Sequence, residues 1–210
     1  MICYRPGIKR SGAENGMKFY KFAAIIAAGL LVTPAHAQKM GEKGENFVRA
    51  IRDRDGAKVE ELLQDSGPTL INAKDINGDT GLMVAVSRRD NTWTAFMLSN
   101  GADPNLANRN GETPLIAAAR IGYMQGVEWL LVKKARIDDA NRMGETALIV
   151  AVQARHPQVV KYLLSKGANP DKADNAAGYS ARDYARRDVR TPELLRLIEA
   201  AKKTAAAAPR

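Results

Sequence analysis

Three acidic side chains recur at a fixed interval in the middle of the chain. Asp79, Glu112 and Glu145 each follow a glycine and lie 33 residues apart. Such a row of carboxylates could receive a cation or a basic partner, and a close pair could act as general acid and base. A carboxylate at a helix start instead stabilises the helix dipole by ~0.3–1 kcal/mol. We favour the helix-dipole role, because all three residues precede a predicted helix.

Arginines form the second set of candidate residues, near the ends of predicted helices. The guanidinium group is a planar fork of N–H donors that suits carboxylates, so these side chains could bind an acidic protein surface. The alternative is a solvated basic rim that aids solubility. The arginines concerned are Arg88, Arg89, Arg120, Arg155, Arg186, Arg187 and Arg190.

Residue types that hold metals or act as nucleophiles are scarce. His156 is the only histidine beyond residue 37, and the single cysteine is Cys3. A lone histidine without cysteine is a poor metal site. The chain also lacks a phosphate loop, a Gly-x-Ser-x-Gly elbow and a His-Glu-x-x-His motif. We therefore expect no enzyme activity, no cofactor and no metal, and interpret His156 as a loop residue that supports a turn.

The front of the chain has the three parts of a secretory signal peptide. Residues 17–21 are a basic start, residues 22–32 are an apolar run of 11, and small residues follow up to Ala37. The apolar run is shorter than the ~20 residues that span a bilayer. We expect secretion to the periplasm, cleavage after Ala37 and no stable membrane insertion afterwards; an uncleaved anchor or a buried helix is the alternative. Residues 1–16 are interpreted as a start-site artefact and residues 38–42 as a linker.

The charge of the remaining chain is mildly basic. The whole chain carries +9, and removal of residues 1–37 leaves 27 basic and 22 acidic residues, a net charge of +5. Nucleic-acid binding usually needs a denser basic surface with interleaved aromatic side chains. We therefore expect no nucleic-acid partner.

The candidate residues belong to a repeat with a period near 33 residues. The turn glycines Gly78, Gly111, Gly144 and Gly178 lie 33, 33 and 34 residues apart. An apolar pair keeps the same period, and the two markers together predict a stacked array of short units. The predicted units are 44–76, 77–109, 110–142, 143–175 and 176–203, followed by a flexible tail at 204–210.

Each repeated position has a physical reason. Glycine supplies the positive φ of a tight turn. Two residues later, Thr80, Thr113 and Thr146 suit the N-cap of a helix, and Pro114 is preset for its first turn. Apolar residues at Leu82, Leu115 and Leu148 follow. At the ends of the second helices Gly101 and Gly167 suit a left-handed cap, and Lys134 should adopt it at some local cost.

These motifs resemble the ankyrin repeat family over about residues 43–203. The resemblance is carried by Thr113-Pro114-Leu115, its variants at Thr80 and Thr146, and the segments that begin at Gly101 and Gly167. It implies an all-α solenoid of about five helix-turn-helix units joined by β-turn fingers. The family's histidine after this triplet, which bonds backbone between turns, is replaced by Met83, Ile116 and Ile149, so we expect more apolar contact. Arg182 in the last unit suits a capping repeat with a polar outer face.

The resemblance also implies a function. Ankyrin repeats bind partner proteins through their turn tips and through the concave groove of the first helices, which the arginine positions border. We predict a monomer that binds an unknown protein with an acidic surface, and an inhibitor or immunity-type protein that neutralises a toxin or periplasmic enzyme is the alternative. The predicted contact residues are Arg88, Arg120, Tyr123, Arg142 and Arg155, with Tyr123 exposed at the groove mouth.

Export can be tested directly on the protein made from the full-length gene. Mass spectrometry of the exported protein should find Gln38 at or near its N-terminus, because the small residues before it form the cleavage site. An exported protein that still contains residues 22–32 would contradict the secretory interpretation.

Overall fold

The structure is a computed structural model that describes residues 34–207, with side chains from residue 41 to residue 201. The predictions for residues 1–33, which include most of the signal peptide, lie outside this part. The chain divides into two compact parts, residues 1–40 and residues 41–210, the second of which contains the repeat units. Of residues 1–40 the structure describes only 34–40, which begin a helix. Residues 38–42, predicted as a linker, lie within that helix.

Ten α-helices and no strand occur in the part of the chain that the structure describes. One helix turn of the 3-10 type, Pro68–Asn72, follows the second helix. Helix α10 includes residues 204–207, which were predicted to be a flexible tail. The helices are α1 Pro34–Asp53, α2 Gly56–Ser66, α3 Gly81–Ser87, α4 Asn91–Ser99, α5 Pro114–Arg120, α6 Met124–Val132, α7 Ala147–Gln153, α8 Pro157–Ser165, α9 Ala181–Arg187 and α10 Pro192–Ala207.

The helices pair as the sequence period predicts, and each pair packs on the next. The first helices α3, α5, α7 and α9 contact one another in order, and so do the second helices α4, α6, α8 and α10. Leu82, Leu115 and Leu148 are buried at their interfaces. Met83, Ile116 and Ile149 are buried too. The residues in the family's histidine position therefore contribute apolar contact, as expected.

Polar caps start each of the short first helices. The side chains of Thr80, Thr113 and Thr146 accept hydrogen bonds from backbone N–H groups three residues ahead, and Ser180 does the same in the last unit. An N-cap of this kind stabilises a helix by about 1 kcal/mol. The capping residue fixes where each seven-residue helix begins, and hence where the preceding turn lies.

A hairpin that we call a finger precedes each of the helices α3, α5, α7 and α9. The fingers are residues 74–80, 107–113, 140–146 and 173–180, each closed by a backbone hydrogen bond across its base. An Asp or Asn side chain inside each finger accepts two backbone N–H groups of the turn at 2.8–3.1 Å. These residues are Asp75, Asn108, Asn141 and Asp174. They recur every 33 residues, a regularity that our sequence interpretation missed.

Neighbouring fingers touch through their backbones. The N–H of Arg109 donates to the carbonyl of Asn77 at 3.1 Å, and Arg142 and Asn175 repeat this bond to the finger before them. Gly111 has a φ of 74°. A Cβ atom on it would lie 2.9 Å from the backbone nitrogen of Arg142. Glycine is therefore required both for the turn and for the approach of the next finger.

Two departures from the repeat pattern are visible in the structure. Lys134 adopts a φ of 66° where Gly101 and Gly167 have 84° and 89°, so the predicted left-handed lysine is confirmed. Arg182 was expected on a polar outer face, but its side chain is only 13% exposed and bonds Asp171 at 2.6 Å. The bond to a carboxylate explains how a guanidinium occupies a position that is apolar in the other units.

The close approach of fingers can be tested with two matched glycines. Gly111 and Gly178 both have positive φ, but a Cβ atom at Gly178 would meet nothing within 4 Å. Gly178→Ala should therefore lower the free energy of unfolding by about 1 kcal/mol, from backbone strain alone. Gly111→Ala should lower it by about 2–4 kcal/mol, because a finger must also move. Urea unfolding followed by circular dichroism measures both, and equal losses would contradict the finger contact.

The carboxylate of Asp75 is strongly held. Its side chain is 4% exposed and lies 2.8 Å from Nη2 of Arg52. Burial alone would raise the pKa of Asp75, but the hydrogen bonds from Arg52 and from the N–H groups of Asp79 and Asn77 outweigh burial and lower the pKa below 3.8. A lowered pKa in the folded state stabilises the fold above the unfolded pKa, and that stabilisation is lost as the pH falls through the folded value.

Asp75→Asn should therefore act on stability in a pH-dependent way. Asparagine accepts the turn N–H groups at Asn108 and Asn141, so the finger should survive and only the ion pair is lost. At pH 7 we expect the variant to be less stable by about 0.5–1 kcal/mol, and the difference should disappear as the pH falls below about 3.8. Urea unfolding at pH 7 and at several pH values below 3.8 measures it. Glu60→Gln, which changes an exposed carboxylate without a described partner, is the control, and the same trend in both variants would contradict the explanation.

Candidate protein-binding surface

The finger tips form an exposed row of side chains. Ile76 is 63% exposed and Met143 is 53% exposed. Arg109 and Arg142 lie at equivalent positions of successive fingers and are exposed. Neither arginine makes an ion pair with a described residue. The tip row, as we call Ile76, Arg109, Arg142 and Met143, therefore combines apolar side chains with two cations that have no acidic partner in the described part of the chain.

The predicted contact residues Arg88 and Arg120 are exposed but already bonded. Arg88 donates to the backbone carbonyl of Arg52 in the preceding unit. Arg120 donates through Nε to Glu112 at 3.0 Å, and its Nη2 lies 3.9 Å from Glu145. Both groove arginines therefore already bind a group inside the molecule.

Arg155 is also bonded within the array. It lies in the turn between α7 and α8 with a φ of 57°, and its guanidinium contacts both carboxylate oxygens of Asp188 in the next unit, at 2.7 and 3.4 Å. Arg54 makes the same kind of bridge to Asp90 at 2.7 Å. These pairs connect the turn of one unit to the turn of the next, which is a structural role.

Tyr123 is not a surface contact residue, so that prediction is wrong. Its side chain is 6% exposed, and its ring lies on Gly126, where any side chain would collide with it. The hydroxyl donates to Oδ1 of Asn91 at 2.6 Å. Burial raises the pKa of Tyr123, so the hydroxyl stays a donor at neutral pH. The missing side chain at Gly126, one helical turn ahead, is the sequence signal for this burial.

The acidic row is likewise engaged within the protein. Asp79 accepts from the side chain of Asn108 at 3.0 Å. Glu112 is paired with Arg120, and Glu145 is buried and accepts from Asn141 at 2.7 Å. Each acid precedes the capping residue of its helix, as the helix-dipole interpretation requires. These carboxylates leave little to offer a cation or a basic partner.

His156 supports a turn, in agreement with the sequence interpretation. It is the N-cap residue of α8, and its Nε2 lies 3.1 Å from the carbonyl oxygen of Arg120. Its ring covers Gly122, where a Cβ atom would come within 2.7 Å of Nδ1. The imidazole is therefore packed between two units and not directed at a ligand.

Sequence reasoning found only one member of the tip row, Arg142. Arg109 precedes it by 33 residues in the same position of the preceding finger, and this spacing was available as a signal. Ile76 and Met143 carried no signal, because an apolar residue near a turn looks the same in sequence whether it is covered or exposed.

The described residues offer neither a cluster of metal ligands nor a membrane-spanning helix. They contain no group of three or more His, Cys, Asp or Glu side chains placed to hold a metal ion. Among the same residues, no helix combines the length and the apolar character needed to cross a membrane.

Two relatives share a short part of this chain. A tyrosine-protein kinase of Hydra vulgaris, HTK16, is 35% identical over 85 residues, which are 40% of this chain and 11% of the kinase. An E3 ubiquitin-protein ligase of Arabidopsis thaliana, XBAT33, is 35% identical over 86 residues, 40% of this chain and 17% of the ligase. The chain therefore spans less than a fifth of either relative, and the named activities are those of the relatives.

A family model covers much more of the chain. The model described as ankyrin repeats (3 copies) matches residues 47–138 and 82–174, which together are more than half of the chain. The helix pairs, the fingers and the capping threonines described above all lie in or beside these residues. Repeats of this kind are protein-interaction modules, typically without catalytic activity. The chain belongs to the ankyrin repeat family.

Proposed function

We propose that this protein is a non-catalytic binding module, exported to the periplasm, that captures a partner protein on its tip row. The single observation that carries the proposal is that Arg109 and Arg142 are exposed and have no acidic partner in the described chain. Arginine beside exposed apolar side chains is a common composition of protein interfaces. The beginnings of the first helices, which directly follow the fingers, form the rest of the surface.

The pairing of the other arginines supports the choice of the tip row over the groove. A partner that took Arg120 or Arg155 would have to replace Glu112 or Asp188, which already bond these guanidiniums at 3.0 and 2.7 Å. Replacing one ion pair by another gains little, because the released carboxylate must be solvated again. Arg109 and Arg142 need no such exchange.

The partner that fits this row carries acidic groups around an apolar contact. Backbone hydrogen bonds lock neighbouring fingers together, so the bases of the two arginines are held one repeat apart, roughly the 8–10 Å that separates packed helices. Carboxylates three residues apart in a polyproline II segment, which has three residues per turn and a rise of ~3.1 Å per residue, lie on one face at a similar separation and would match both guanidiniums. The apolar side chains of Ile76 and Met143 flank this pair of charges.

The cellular location and the alternative role bear on which partner this surface meets. The signal peptide inferred from residues 17–37 supports a periplasmic location. An inhibitor or immunity-type protein would act through the same surface, and the identity of the captured partner decides between that role and a scaffold.

Charge reversal separates the tip row from the rest of the surface. The protein, made from the full-length gene and immobilised, would be used to capture partners from a periplasmic extract. Arg109→Glu with Arg142→Glu should reduce capture of the specific partner at least about tenfold, because attraction becomes repulsion. Capture by the unmodified protein should also weaken as salt is added.

Lys133→Glu with Arg196→Glu is the matched control, since it changes the net charge equally at two exposed residues, one at the C-cap of α6 and one in α10. It should leave capture within about twofold, the effect of distant exposed charges. Equal loss in both double variants would indicate a general charge effect and contradict the proposed surface.

A further inference from the structure

A recess lies between the fourth and fifth units, away from the tip row. Its volume is about 510 Å³, and it is formed by the ends of α7 and α9 and by the loop after α9. Three arginines line it, together with one acid, Asp188, and the valines Val152 and Val189. The arginines are Arg155, Arg187 and Arg190. This recess has no part in the binding surface proposed above.

The carboxylate of Asp188 is fully used by its own neighbours. Arg155 bonds both of its oxygens, and the backbone N–H of Arg190 donates to Oδ1 at 3.0 Å. The hydrogen bond from Arg155 lowers the pKa of Asp188. Arg155 and Asp188 therefore form a neutral pair, and Asp188 does not serve as a counter-ion for the other two arginines.

The guanidiniums of Arg187 and Arg190 make no ion pair with any residue that the structure describes. The guanidinium of Arg187 lies over the ring of Tyr179, 4.3 Å from the ring centroid. Stacking of this kind orients a guanidinium and leaves N–H groups free to donate. The recess thus has two positive charges, and the one nearby carboxylate is occupied.

Val189 gives the recess an apolar rim. Its side chain is 89% exposed, the highest value among the exposed large apolar residues of the described chain. It stands between Asp188 and Arg190, so an apolar group on a ligand would contact it while an anionic group reaches the arginines. A nucleotide fits less well, because the Tyr179 ring, on which a base could stack, is already covered by Arg187.

We propose that this recess binds a peptide carboxylate that lies next to an apolar side chain. Arg187 and Arg190 donate to the carboxylate, and Val189 contacts the apolar side chain. The carboxylate can be the C-terminus of a partner chain or an Asp or Glu side chain, since both present the same pair of oxygens. The recess would then hold an acidic segment at one end of the array independently of the tip row.

Nuclear magnetic resonance of the protein made from the full-length gene tests the proposal. The side-chain Nε–Hε signals of Arg187 and Arg190 would be followed during titration with three peptides. Acetyl-Gly-Gly-Leu with a free C-terminus carries a terminal carboxylate, acetyl-Gly-Glu-Leu-amide carries a side-chain carboxylate, and acetyl-Gly-Gln-Leu-amide carries none. We expect both signals to shift with at least one acidic peptide and not with the neutral one. The acidic peptide that binds more tightly identifies the source of the carboxylate.

Substitutions supply the second measurement. Arg187→Gln and Arg190→Gln should each weaken binding of that peptide about tenfold, the usual effect of losing a charge-assisted hydrogen bond. Arg196→Gln, an exposed arginine of α10 outside the recess, should leave it unchanged. The circular dichroism spectra and melting curves of all variants are compared first, so that an unfolded variant is recognised.

Three results would overturn the proposal. The first is the absence of shifts at about 10 mM peptide, where even a millimolar site is mostly filled. The second is an equal shift with the neutral peptide. The third is saturation by inorganic phosphate at a lower concentration than by either acidic peptide. The capture experiment on Arg109 and Arg142 concerns a different surface, so either result stands without the other.

Discussion

The close backbone contact between neighbouring fingers is the constraint on which the rest of the structure depends. A Cβ atom at Gly111 would lie 2.9 Å from the backbone nitrogen of Arg142, so the units can stack at this separation only because glycine holds the turn. The finger in turn fixes the capping residue, and the cap fixes where the buried first helix begins. Each unit contacts mainly its neighbours, which is how a linear array of repeats is stabilised.

The fold was predictable because its signals are local and repeated. Turn glycine, capping threonine and buried leucine lie within five residues of one another, and each works through its own backbone. The same reasoning would have found Asp75, Asn108, Asn141 and Asp174, because they recur with the same period and bond their own turns. Lys134 stands where the neighbouring units have glycine, and its left-handed conformation still follows from the same local pattern.

The candidate site was less predictable because it depends on contacts between units. Arg120 and Arg155 look like free cations in sequence, and only the stacked structure brings Glu112 and Asp188 to them. Tyr123 looks like an interface anchor until Gly126 is seen to leave space for its ring. Whether a long side chain is exposed depends on contacts with residues about 30 or more positions away in the sequence, as the Tyr123–Asn91 bond illustrates. Arginines with and without partners therefore cannot be separated by sequence spacing alone.

The Asp and Asn residues inside the fingers differ along the array in a way that affects its stability at low pH. The outer two of the four fingers are held by Asp75 and Asp174, and the inner two by Asn108 and Asn141. Burial opposes ionisation of Asp174, but hydrogen bonds from Tyr184 and from the turn N–H groups outweigh it and lower the pKa, as similar bonds do at Asp75. Protons that neutralise these carboxylates would remove the stabilisation that their charged forms give the outer fingers, whereas the amides of the central fingers do not titrate. Acid should therefore fray this array from its two ends inward, so that the middle units outlast their neighbours.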